Sequence, residues 1–171
     1  SLWIKSIWPA LIELDPYTLR IKDTQSFWEI TKSNASPYGD YAWGLSGIPS
    51  EQGPDLYYLH TISNYSGTSS IYRIDLETGK STSYLSLSLR AYGLAQKGNT
   101  FYIVYYDSYQ MKSVVARVGG EKLVLPESIG GLDYVSDPSG DFLIAISGGS
   151  YSHKVYKIPL NESGGIAGTY G

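Results

Sequence analysis

Ile71-Tyr72-Arg73-Ile74-Asp75-Leu76-Glu77-Thr78-Gly79-Lys80 reads as one alternating strand that runs into a tight turn and out again. Residues of alternating character suit a pleated surface with one buried face. Asp75 to Gly79 supplies the turn, with Asp capping its own backbone and Gly79 expected at positive φ. The same pattern recurs along the chain. Leu11-Ile12-Glu13-Leu14-Asp15-Pro16, Val115-Ala116-Arg117-Val118-Gly119-Gly120 and Val155-Tyr156-Lys157-Ile158-Pro159-Leu160 each end an alternating strand in a turn. With Leu14, Ile74, Val118 and Ile158 as equivalent positions, the spacings are 60, 44 and 40 residues. The long first interval holds Ile48-Pro49-Ser50-Glu51-Gln52-Gly53-Pro54, which reads as an inserted loop.

The segments between these anchors repeat as well. Trp43-Gly44-Leu45, Tyr92-Gly93-Leu94 and Gly131-Leu132 are small-residue strands suited to a crowded interior. A second strand follows each, over 56–62, 100–106 and 142–147. The anchors are third strands, and 81–89, 122–126 and 166–170 are fourth strands. Lys97-Gly98-Asn99 and Val118-Gly119-Gly120-Glu121 are further hairpin turns. A four-stranded unit of about 40–50 residues is the blade of a β-propeller. The expected fold is therefore all-β: a propeller of about four blades, or half of a larger one, with a β-sandwich as the alternative. One propeller-like domain is expected over 1–171. Its full blades are 41–89, 91–126 and 130–170, and its first blade, at about 1–30, is incomplete for want of an innermost strand.

Val135-Ser136-Asp137-Pro138-Ser139-Gly140-Asp141-Phe142-Leu143 resembles the S-P-D-G-x-x-L hairpin of WD-type and YVTN-type propellers. The 71–80 segment is similar to the outer hairpin of those families. The Trp-Asp dipeptide and the Gly-His pair of WD repeats are absent. The resemblance therefore implies a blade pattern and transfers no functional residue.

Composition narrows the function. The 171-residue chain has a net charge of −3, without the basic patch that phosphate neutralisation requires, so nucleic acid is not an expected partner. It has no apolar run long enough to form a transmembrane segment. The absence of Cys removes disulfides and thiolate sites. The 17 Tyr and 19 Gly fit strands and turns. Three of the four Asn, namely Asn34, Asn64 and Asn161, stand in Asn-x-Ser, the glycosylation acceptor pattern, which turn chemistry also uses. Together these features point to an extracellular or cell-surface location.

No catalytic constellation is evident. His60 and His153 lack partners at metal-ligand spacing, and no G-x-S-x-G elbow is present. Neither a metal nor another cofactor is expected. Asp137 and Asp141 read as a solvated turn rather than a Ca²⁺ loop. In a propeller, the blade-to-blade loops and the second-to-third-strand loops share one face. That face would carry Tyr38, Asp40, Tyr65, Arg90, Tyr92, Asp107, Tyr109 and Tyr151. Tyrosine joins a rigid apolar ring to a polar tip, which suits protein or glycan recognition. The expectation is a non-catalytic glycoprotein domain acting by binding, adhesion or self-assembly, partnered by a protein, a glycan or copies of itself. The alternatives are a glycan-active enzyme using Asp40 and Asp107 as an acid–base pair, and a fragment of a longer propeller.

Overall fold

The computed structural model describes residues 2–5, 10–15, 17–26, 40–48, 55–62, 67–78, 80–148 and 153–171. These form fourteen strands in four antiparallel sheets. Sheet I contains β1 (Leu2–Lys5), β2 (Ala10–Leu14) and β3 (Ile21–Ser26). Sheet II contains β4 (Asp40–Ile48), β5 (Asp55–Ile62), β6 (Ser69–Asp75) and β7 (Lys80–Leu87). Sheet III contains β8 (Ala91–Lys97), β9 (Thr100–Asp107), β10 (Lys112–Arg117) and β11 (Lys122–Leu125). Sheet IV contains β12 (Ile129–Val135), β13 (Phe142–Ser147) and β14 (Val155–Pro159). Within every sheet, sequence neighbours are spatial neighbours. Among the described residues no helix is long and apolar enough to cross a membrane.

Serial meanders of this kind, with their first strands adjoining, are propeller blades, whereas a β-sandwich would place its strands in two sheets. β4 lies against β8, and β8 against β12. Glycine permits the approach. A Cβ on Gly44 would stand 2.7 Å from Leu94 Cβ and 2.8 Å from the Leu94 backbone nitrogen. A Cβ on Gly93 would stand 3.3 Å from Val104 Cβ and 3.6 Å from Leu132 Cβ. Gly44 is therefore a steric requirement of the approach of β4 to β8, Gly93 sits tightly between Val104 and Leu132, and a Cβ on Gly131 would meet nothing within 4 Å.

The core lies between successive sheets. Tyr57, Leu59 and Ile71 of sheet II meet Leu94, Phe101, Ile103 and Ala116 of sheet III. Tyr102, Val104, Val115 and Leu125, on the opposite face of sheet III, meet Leu143, Ala145 and Ile158 of sheet IV. Each fully buried side chain of this size contributes about 1.5–3 kcal/mol. The other face of sheet II is buried too, with Leu56, Tyr58 and Ile74 forming a separate cluster. The far face of sheet IV is open. Ile146 is 50% exposed and Val155 62% exposed. Their counterparts Leu59 and Val104, and Ile71 and Val115, are fully buried in sheets II and III.

A polar latch repeats between blades. The hydroxyl of Ser69 on β6 accepts the N–H of Ala91, the first residue of β8, at 2.9 Å. The hydroxyl of Ser113 on β10 accepts the N–H of Ile129, the first residue of β12, at 3.0 Å. Both serines lie five positions before their anchors, Ile74 and Val118, and both are buried. Sheets II and III thus each satisfy the leading amide of the next sheet, a donor that the interior would otherwise strand.

The turns are the ones their residues favour. Gly98 and Gly119 adopt positive φ, at 55° and 74°. Asp15 and Asp75 stand at equivalent positions, and each accepts two backbone N–H bonds from the turn that follows. Those bonds, chiefly from Thr18 and Thr78, hold both carboxyls below their ordinary range. Gly79 lies outside the described residues. One strand differs from expectation. Residues 166–170 form a turn-rich segment instead of a fourth strand. Leu160 bridges Ile166, and Gly171 exchanges both backbone bonds with Lys157. Gly164 and Gly168, both at φ 79°, break the pleat.

Candidate functional site

Where β8 and β12 begin, sheets III and IV part to form a cleft of about 480 Å³. Arg90 and Tyr92 enter it from the start of β8, and Tyr106 from the end of β9. Ser128, Ile129 and Gly130 line it from the start of β12, and Gly148 follows β13. The size is that of an ordinary small-ligand site.

The cleft exists because of β-bulges. The β8–β9 register shifts between Ala91 and Gly93, leaving Tyr92 as the extra residue. The β12–β13 register shifts between Ile129 and Gly131, leaving Gly130 as the extra residue. β4 has the same irregularity, between Ala42 and Gly44. A bulge bends its strand and re-aims the residue within it. Tyr92 thereby reaches across to Ser113, with 2.7 Å between the two hydroxyls. Burial pushes the Tyr92 phenol above its ordinary pKa, and the Ser113 bond pulls it partly back. Gly130 and Gly148 make a bare-backbone wall. A Cβ on either would stand 2.8 Å from the Cα of the other.

Arg90 is the one charged residue among the described residues that line the cleft, and no described residue forms an ion pair with it. The acids beside the cleft in sequence are engaged elsewhere. Asp107 Oδ1 accepts the N–H groups of Tyr109 and Gln110, and its Oδ2 accepts the Gln110 side-chain amide at 3.1 Å. Glu127 pairs with Lys154 at 2.5 Å. Tyr106 is 45% exposed and its hydroxyl points to the Met111 sulfur at 3.4 Å. The lining therefore offers a cation, two tyrosine rings with hydroxyls, a serine hydroxyl and glycine backbone.

Of the residues expected on this face, Arg90 and Tyr92 come together in the cleft. Asp40 opens β4 opposite Ile62, at the end of its sheet that corresponds to the cleft. Asp107 closes β9 and caps the next turn, and Tyr109 stands in that turn 98% exposed. Tyr38, Tyr65 and Tyr151, with the sequon residues Asn34 and Asn64, lie outside the described residues. Asn161 is exposed and accepts bonds from Ser163 Oγ at 2.8 Å and the Gly165 N–H at 2.7 Å. His60 is buried edge-on to Tyr72 and His153 is exposed. Asp137 accepts from Ser139 and Asp141 pairs with Lys97. Among the described residues, no three His, Asp or Glu side chains group as metal ligands.

Tyr106, Ser128, Ile129 and Gly130 join the site without having been singled out in the sequence. A signal for part of it was present: Tyr92-Gly93 and Gly130-Gly131 place an extra residue before a strand glycine, which is how a bulge reads. Tyr106 carried no such mark, because it continues a hydrophobic strand.

No family model and no curated protein matches the chain. The blade pattern is therefore a property of the fold and does not establish WD-type or YVTN-type membership. Among solved structures, the chain is similar to an exo-1,5-alpha-L-arabinanase from a bovine ruminal metagenomic library. The two share 11% identity at a TM-score of 0.47, over 92% of this chain and 67% of that one. That neighbour is named as an enzyme. The expected non-catalytic domain, acting by binding, adhesion or self-assembly, is corrected on this finding.

Proposed function

We propose that the protein is glycan-active and seats a saccharide in the cleft between sheets III and IV. The observation that carries this reading is the lining itself. Sugars present apolar C–H faces rimmed by hydroxyls, and Tyr92 and Tyr106 offer rings with polar tips. Ser128 adds a hydroxyl, and the Gly130–Gly148 wall lets a ligand approach backbone directly. The two acids expected at this end then separate in role. Asp107 holds a turn with both oxygens. Asp40 begins β4 at the matching end of sheet II, and we propose it as the remaining acid for proton transfer.

The test is calorimetric titration of a panel of neutral and acidic oligosaccharides, with reducing-end release followed in parallel. Binding in the micromolar to millimolar range is expected, weakened at least about tenfold by Tyr106→Ala. Asp40→Asn should cut product release about a hundredfold or more while binding persists, and Asp107→Asn should change it little. Absence of saccharide binding, or a Tyr106→Ala protein that binds as wild type does, would overturn the reading.

A further inference from the structure

We infer that the saccharide is acidic, and that Arg90 holds its carboxylate as a uronate subsite at the mouth of the cleft. This rests on the glycan reading and adds the substrate's charge. Arg90 is exposed and lines the cleft, and no described residue forms an ion pair with it. The neighbouring acids that would otherwise neutralise it are taken: Asp107 by its own turn, and Glu127 by Lys154. Lys97, at the border of sheets III and IV, pairs with Asp141, while Arg73 and Arg117 pair with Asp55 and Glu121 within their own sheets. Arg90 is thus a planar, two-pronged donor beside two tyrosine rings, with no ion-pair partner among the described residues. That geometry matches a carboxylate, which takes two parallel N–H bonds from a guanidinium. A uronic acid presents its carboxylate at the edge of a ring whose C–H face can rest on Tyr92 or Tyr106. A neutral sugar gives Arg90 only hydroxyl acceptors, and these form weaker bonds.

The probes are galacturonate and glucuronate trisaccharides, each compared with its methyl ester, which keeps the sugar and removes the charge. At least one acid should bind about tenfold more tightly than its ester at low salt. The ratio should shrink as ionic strength rises, because the guanidinium is exposed. Arg90→Gln should bring the acid down to the ester's affinity, and Arg90→Lys should give an intermediate value, since it keeps charge but loses the fork. Equal binding of acid and ester, or a preference that survives Arg90→Gln, overturns the inference. Binding of neutral sugars alone overturns it while leaving the glycan reading intact. No binding of any saccharide overturns both.

Discussion

Ser113→Ala tests the blade latch directly. Ser113 is fully buried on β10 and serves two groups at once. Its hydroxyl accepts the Ile129 N–H at 3.0 Å and lies 2.7 Å from the Tyr92 hydroxyl. Ile129 is 1% exposed, so its amide is left buried without its partner once the acceptor is gone. A stranded buried donor costs about 1–3 kcal/mol. The Tyr92 hydroxyl is half-buried at the cleft and recovers part of its bond from solvent, for a further cost of about 0.5–1 kcal/mol. The sum is about 1.5–4 kcal/mol. With a urea m-value of about 2 kcal/mol/M for a chain of this size, the midpoint should fall by about 0.75–2 M at unchanged slope. Ser86→Ala, at an exposed position on β7, is the control and should stay within about 0.5 kcal/mol of wild type. The Ile129 amide should also exchange faster with deuterium, and the Tyr92 phenol should titrate higher than in wild type. A Ser113→Ala midpoint indistinguishable from that of Ser86→Ala would refute the latch.

Gly44→Ala drives a Cβ into the Leu94 backbone and should cost about 1–3 kcal/mol by forcing β4 and β8 apart, read as a lowered Tm. Val115→Ala and Val155→Ala remove the same atoms from equivalent positions, one buried and one open. The first should cost about 1–3 kcal/mol and the second under about 0.5 in urea unfolding, and equal losses would contradict the open face of sheet IV. The bond from Lys97 is the leading cause holding the Asp141 carboxyl below its ordinary value of 3.8. Its contribution is therefore complete above that value and is lost as pH falls through the lowered one. Between pH 5 and about 3, Asp141→Asn should lose stability less steeply than wild type, and parallel curves of urea midpoint against pH would exclude the pair.

Much of the frame was legible because its causes are local. The anchors at Ile74, Val118 and Ile158 fall on or beside the third strands of their blades, and Leu14 ends the middle strand of three-stranded sheet I, since alternation and turn chemistry act within ten residues. The latch serines escaped notice because a single Ser at a strand start has no distinguishing pattern until the next blade is placed beside it. The fourth strand of sheet IV was expected too generously. Gly164, Gly165 and Gly168 favour turns over a pleat, and Gly164 takes its carbonyl to the buried Tyr102 hydroxyl. The cleft was half legible. Arg90 and Tyr92 follow from which loops share a face. Ser128 and Gly130 depend on a register shift, which the sequence signals only through paired residues such as Gly130-Gly131.

The repeated bulge divides labour along each inner strand. Gly44 and the Gly130–Gly148 contact are held by backbone proximity, and Gly93 by the side chains of Val104 and Leu132, so substitution there is filtered by sterics before function is touched. Trp43, Tyr92 and Gly130 are the extra residues, opposed by no ladder partner of their own. At Trp43 and Tyr92 the residue can change without shifting a strand pair, whereas Gly130 stays under the steric filter of Gly148. Two equivalent slots can thus be rewritten by selection one at a time while the ladder that carries them is kept.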